Sequence, residues 1–317
     1  VAVGYRALDA NTTADNNVAI GQAALGLNTT GTANVAIGHN ALDANTTASF
    51  NFAGGKDALG ANTTGAENVA IGYLALTNNT TGTHNVAVGS SDGSSGATLG
   101  TNNTGSNNTA LGMQSLGSNT TADDNTAVGY QALKANTTGT LNVAVGQGAL
   151  LANTTGGKNT VVGVVAGDAL TTGGRNTALG YEALSSDTLG DVSVAIGNGA
   201  LKTQNFTSNT DALNVAVGHD AGAAVTTAIK NTLIGGLAGD ALNTGSFNVA
   251  LGMQALSADT KGAKNVAIGQ GALEAQNFTS ATDSYNTAVG HVAGLSITTG
   301  TENTLIGGRA GDALTDA

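Results

Sequence analysis

The sequence has no proline, no cysteine and no tryptophan in 317 residues, and only 3% of it is aromatic. At average usage a chain of this length would carry about 16 prolines. Proline cannot donate to a backbone ladder, so its absence predicts a fold in which nearly every N–H is used in one. Without cysteine there is no disulfide, no thiol nucleophile and no thiolate metal site, which leaves the redox compartment open. Charged residues are scarce, 10%, and the net charge is −11. That balance disfavours phosphate backbones and anionic membrane surfaces, so nucleic acid and membrane are set aside as partners. No apolar run approaches the ~18 residues of a membrane span, and no signal peptide is visible. Val1 and Ala317 each fall inside a repeat, so the chain reads as a piece of a longer one.

What is abundant is glycine, 48 residues, about twice the usual ~7%, together with an aliphatic pattern too regular for disorder. Aligned on the Asn of NVAIG, the repeat restarts at 17, 34, 51, 68, 85, 108, 125, 142, 159, 176, 193, 214, 231, 248, 265, 286 and 303. Thirteen of the sixteen spacings are 17, and the exceptions are 23, 21 and 21. The extra residues fall near 90–100, 203–212 and 275–284, and from 159 onward a 72-residue super-repeat appears, marked by AGDAL and QNFTS. Insertions added to a constant unit are loops on a conserved stack.

Each column of the repeat has its own requirement. Column two is Val or Thr and column four is Val, Ile or Leu, with Phe52 and Gly54 as outliers. This alternation predicts a short strand with columns two and four buried. Column five is Gly in all 17 rungs, so Gly21, Gly38, Gly72 and Gly146 are turn glycines that need positive φ or very close backbone approach. A following Ala-Leu pair reads as a second short strand, and Asn-Thr-Thr-Gly as a turn. Seventeen residues are too few for a βαβ unit, and one rung cannot bury its own face, whereas stacked rungs can. The expectation is an all-β parallel β-solenoid or β-roll, residues 1–317 as one repeat domain of about 18 coils, on the order of 85 Å long at ~4.8 Å per coil. The column-one Asn residues would stack as an amide ladder.

This reading assigns Val18, Ile20, Leu25, Val35, Ile37, Leu42, Val143, Val145 and Leu150 to the coil core. Column three, on the opposite strand face, is Ala in 14 of 17 rungs and otherwise Val161, Leu233 or Leu305. A solvated face would carry Thr, Lys, Glu or Ser. Ala19, Ala36, Ala70, Ala87, Ala127, Ala144 and Ala178 are therefore expected at the contact between chains, three copies side by side; the alternative is a single solenoid with one small-sided face. On this assignment Ala144→Arg disrupts association, and Val145→Asp damages the coil.

NVAIG and its Ala-rich strand resemble the repeat of trimeric autotransporter adhesin heads of the YadA-like β-roll type. The variant NTALGMQSLGSNTTADDNTAVGYQALKANTTG, residues 108–139, is similar to phage tail-fibre shafts. The resemblance covers essentially the whole chain and implies a left-handed coil, a homotrimer and surface attachment. The 17-residue period and the frequent NTT turns depart from the adhesin pattern and favour the tail fibre. The implied role is a rigid trimeric fibre segment, extracellular, on a virion or alternatively on a bacterial surface, holding up a tip for a host receptor such as a glycan.

The residues offer little chemistry. His39, His219 and His291 follow the column-five Gly, and three copies on a trimer axis could bind an ion; the plainer reading of these and of His84 is variable turn positions. Asp168, Asp240 and Asp312 share one phase, too far apart for paired acid–base work, and read as turn or cap residues. NTT is formally an N-glycosylation acceptor and occurs eight times. No G-x-S-x-G, H-E-x-x-H or P-loop is present. No catalytic residue, cofactor or metal site is assigned, and the protein does not read as an enzyme. Phe206 and Phe278, in the insertions, are candidates for exposed recognition. An ice-binding solenoid is a remote alternative, because the Thr columns fail from about residue 164.

Overall fold

A computed structural model describes residues 1–93 and 96–316. The protein is all-β, a parallel β-solenoid of about 18 coils of ~17 residues, with no helix among the described residues. The chain divides into two compact units, Val1–Lys158 and Asn159–Ala317.

Among the described residues of the first unit each coil contributes one strand, nine in all from Ala2–Val3 to Val143–Val145. Neighbouring strands pair in parallel without register drift; Val18, Ala19 and Ile20 lie opposite Val35, Ala36 and Ile37. Register is fixed because every coil repeats the same period-two pattern, and a one-residue slip would turn each side chain to the wrong face. Outside the strands the coil is turn, yet the turns are also hydrogen-bonded from coil to coil. Leu25 donates its N–H to the Ala41 carbonyl at 3.0 Å, and Thr29 to that of Thr46 at 2.8 Å. A proline at any such position would remove a rung, which accounts for its absence.

The Ala-Leu pair is not a second strand. Ala23 and Leu25 have φ of 54° and 53°, in the left-handed region, and the turn they form swings the Leu25 side chain inward to complete burial. Column-five glycines meet both expected demands. Gly21 has φ +136°, and a Cβ there would lie 2.4 Å from the Gly38 carbonyl oxygen one coil on. No other residue fits that site.

The two faces of the strand are the reverse of the sequence expectation. Ala19, Ala36, Ala70, Ala87, Ala127, Ala144 and Ala178 are fully buried within a single chain. Val18, Val35, Val143 and Val145 are half-exposed, and Ile20 and Ile37 are 40% and 42% exposed. Leu25, Leu42 and Leu150 are fully buried. The physical reason is width. A 17-residue lap encloses little space, and Leu25, Ala24 and two asparagine side chains already fill it, so a methyl fits in column three and a branched chain does not.

The second unit has nine such strands, from Thr160–Val162 to Thr304–Ile306. Its two insertions add small parallel sheets, Gly190–Asp191 with Thr210–Asp211, and Gly262–Ala263 with Thr282–Asp283.

Candidate functional site

The outward strand face is the most extensive candidate surface. Columns two and four hold only Val, Ile, Leu, Thr, Phe and Gly in all seventeen rungs, without one charged residue. In a chain of net charge −11 that strip is distinct from the rest of the surface. In the first unit it runs eight coil steps, about 40 Å at ~4.8 Å each. Ile20, Ile37, Ile71 and Leu111 are each between 37% and 42% exposed along it. In the second unit Val162, Leu179 and Leu251 hold the same position at 36–41%. Single exposed aliphatics need no explanation, but a contiguous stack does.

Behind this face are two columns of buried amides. In column one the Asn17 Oδ1 accepts the backbone N–H of Asn34 at 2.9 Å, while Asn17 Nδ2 donates across the coil to the Gly31 carbonyl at 2.8 Å. The expected stack of amides is thus mostly a side chain-to-backbone ladder. The true side-chain ladder lies in the NTTG turn. Asn45 donates to Asn28, Asn62 to Asn45 and Asn79 to Asn62, at 2.9, 3.1 and 2.9 Å. Each of these Nδ2 groups also donates to the carbonyl three residues on, as Asn45 does to Ala48 at 3.0 Å. Both amide hydrogens are therefore used and Asn45 is fully buried, so the NTT motifs from Asn28 to Asn153 offer no free asparagine for glycosylation. The first Thr is spent as well: Thr29 Oγ1 donates to the Thr46 carbonyl at 3.0 Å. From the second coil on only the second, such as Thr30 or Thr47, is exposed, so free hydroxyls form a column one residue wide.

The second unit replaces that ladder. Its equivalent positions read Leu170, Asp187, Gln204, Val225, Leu242, Asp259, Gln276 and Ile297, all fully buried. Asp187 Oδ2 accepts from Gln204 Nε2 at 2.7 Å, and Oδ1 accepts the N–H groups of Gly190 at 3.0 Å and Phe206 at 3.3 Å. Gln204 also donates to Ser193 Oγ at 2.9 Å and accepts from Asn214 Nδ2 at 2.8 Å. It thereby covers the one rung where column one lacks asparagine. Burial raises the Asp187 pKa above the ordinary carboxylate value, against the pull of these donors. Asp259, Gln276 and Phe278 repeat the arrangement. Sequence reasoning missed the Asp–Gln pair. Its signal was present: DTLG and DTKG stand where NTTG is expected, one coil before each QNFTS.

That network also corrects the recognition residues. Phe206 and Phe278 are only 5% and 6% exposed. The backbone N–H of each is held by the buried aspartate, which draws the insertion onto the coil and the ring into the interior. The first insertion, 90–100, is described except for residues 94 and 95.

The four histidines are exposed. His84 lies 3.0 Å from Glu67, His219 3.5 Å from Asp220 and His39 4.0 Å from Asp57. Among the described residues no three His, Asp or Glu side chains converge as a metal site, and no helix is long and apolar enough to cross a membrane. Asp168 and Asp240 each keep a buried Oδ1 without a hydrogen-bond partner. Desolvation raises both pKa values; the charges of Glu182 near Asp168 and Asp220 near Asp240 add to the shift, and nearby backbone amides oppose it. No family model, no curated protein and no solved structure matches the chain.

Proposed function

We propose that this chain is a structural fibre segment whose copies associate lengthwise, three together, through the uncharged outward face of columns two and four. A left-handed coil and an extracellular place, on a phage tail fibre or alternatively in a bacterial adhesin head, belong to the same reading. The observation that carries it is the strip itself: aliphatic side chains exposed at equal spacing in coil after coil, with no charge among them. A lone stack of coils in water has no use for such a strip, whereas packing it against copies of itself removes apolar area from water at about 25 cal/mol per Å². The resemblance to adhesin heads and fibre shafts supports three copies. Everything else in the coil favours stiffness over chemistry, since most of the polar groups inside are engaged with one another or with the backbone.

Sedimentation equilibrium tests the reading, with a trimer expected and a 30.6 kDa monomer overturning it. Val145→Asp is expected to abolish association and leave the single-chain β-structure intact, because Val145 points outward. Ala144→Arg is expected to unfold the surrounding coils, because Ala144 is fully buried inside.

A further inference from the structure

The 72-residue super-repeat places two insertions on equivalent coils, and the surface beside each can be compared position by position. Beside the first, Arg175 lies 3.0 Å from Asp211 and 3.6 Å from Asp191. Thr172 donates to Asn209 at 3.4 Å. The polar groups there close on one another. Beside the second, the equivalent of Arg175 is Phe247, that of Leu189 is Lys261, and that of Val192 is Lys264. Around them lies a groove of about 490 Å³.

One wall of that groove is the exposed ring of Phe247, and Lys230 sits over the ring at 5.1 Å. One coil on, in the same column as Phe247, is Lys264, paired with Asp283 at 2.7 Å, and Tyr285 stands beside them with its hydroxyl 2.9 Å from Lys264 Nζ. Thr244, Ser246 and Thr282 add hydroxyls. Lys264 is neutralised by Asp283. Lys261 has no carboxylate partner among the described residues, so the groove keeps one uncompensated positive charge. The setting makes this notable, because residues 159–317 carry thirteen Asp and Glu against six Lys and Arg.

We infer that the groove bounded by Phe247, Lys261, Lys264 and Thr282 binds a carboxylated sugar, such as a uronic or sialic acid residue of a surface glycan. An aromatic face suits the C–H face of a pyranose ring, and the free ammonium of Lys261 suits a carboxylate. The hydroxyls and the Asp283 carboxylate suit sugar hydroxyls. The small parallel sheet Gly262–Ala263 with Thr282–Asp283 holds the Lys264 and Asp283 side of the groove, and the Phe247 N–H is tied to the Ile229 carbonyl at 3.1 Å, so the site is built before the ligand arrives. A single chain contains the whole groove, so this inference and lengthwise association fail separately.

The test is a titration of the full chain with glucuronic acid and N-acetylneuraminic acid by isothermal calorimetry and ligand-observed NMR, with glucose and inorganic sulfate as the other probes. Saturable binding of at least one acid sugar is expected, with glucose weaker by about tenfold or more, as befits loss of one charge-assisted hydrogen bond. Lys261→Ala and Phe247→Ala should each weaken binding by about tenfold with an unchanged circular dichroism spectrum. Arg175→Ala, beside the other insertion, should leave it unaltered. Absence of binding by the well-folded chain overturns the inference. So does equal binding of glucose, or sulfate binding as tight as the sugar acid, which marks a plain anion site. Retention of binding in both the Lys261 and the Phe247 variants overturns it too.

Discussion

The two units run the same strand at the same period and fill their coils differently. In residues 1–158 the inner turn position is asparagine nine times over, and every amide from Asn28 to Asn153 donates to the one before it. In residues 159–317 that column is Leu, Asp, Gln, Val and then Leu, Asp, Gln, Ile. A homogeneous ladder works because an amide both donates and accepts, so each rung satisfies its neighbours whatever the length. Leucine or valine ends that reciprocity, and the second unit compensates within the block. Apolar rungs need no partner, and the two polar rungs between them satisfy each other. Asp187 accepts only and Gln204 both donates and accepts, so their order is not interchangeable. One unit can be lengthened rung by rung, the other only by four coils at a time. Insertions follow the block in the second unit, and with them the groove at Lys261.

The sharpest way to break the comparison is to exchange rungs. Asn62→Leu leaves Asn45 Oδ1 without its donor and Asn79 Nδ2 without its acceptor, both buried. The expected loss is roughly 2–6 kcal/mol, read as a lower denaturation midpoint and as lost hydrogen-exchange protection in the flanking coils of the first unit. Gln204→Leu removes one donor from the buried Asp187 carboxylate and the acceptor of Asn214. A loss of roughly 2–4 kcal/mol is expected, confined to the coils around residues 187–214. If exchange protection instead falls evenly along the unit, the four-coil block is not a cooperative module. Gly38→Ala should cost roughly 2–4 kcal/mol, from backbone strain and a Cβ 2.4 Å from the Gly55 oxygen. The same substitution at half-buried Gly236, where a Cβ meets nothing within 4 Å, should be near neutral by the same melting assay.

The smallest effect is on pH dependence. Asp168, Asp187 and Asp240 in the second unit have raised pKa values, as does Asp43 in the first. A carboxyl whose folded pKa is raised takes up its proton more readily in the native state than when unfolded. Its contribution to stability is then fully present below the ordinary carboxylate pKa and is lost as pH rises through the folded value. Asp168→Asn with Asp240→Asn should therefore raise the melting temperature at pH 7 and have little effect near pH 3. Both groups are partly exposed, so solvent screening limits the gain to below about 1 kcal/mol.

The sequence carried the period, the parallel stacking, the place of the one strand that each coil repeats and the need for glycine at column five, because each is a one-dimensional constraint. A residue type that recurs every seventeen positions must meet the same surroundings each time. Which face pointed inward was not legible in it. When both faces of a strand are apolar, alternation says only that they differ, and Ala19 against Val18 and Ile20 could be read either way. The tertiary structure decided this through the width of the coil, already filled by Leu25 and the asparagines. It also decided that Phe206 and Phe278 turn in, because each follows a glutamine that completes a buried aspartate in the coil before. That pairing spans seventeen residues and exists only once the coils are stacked.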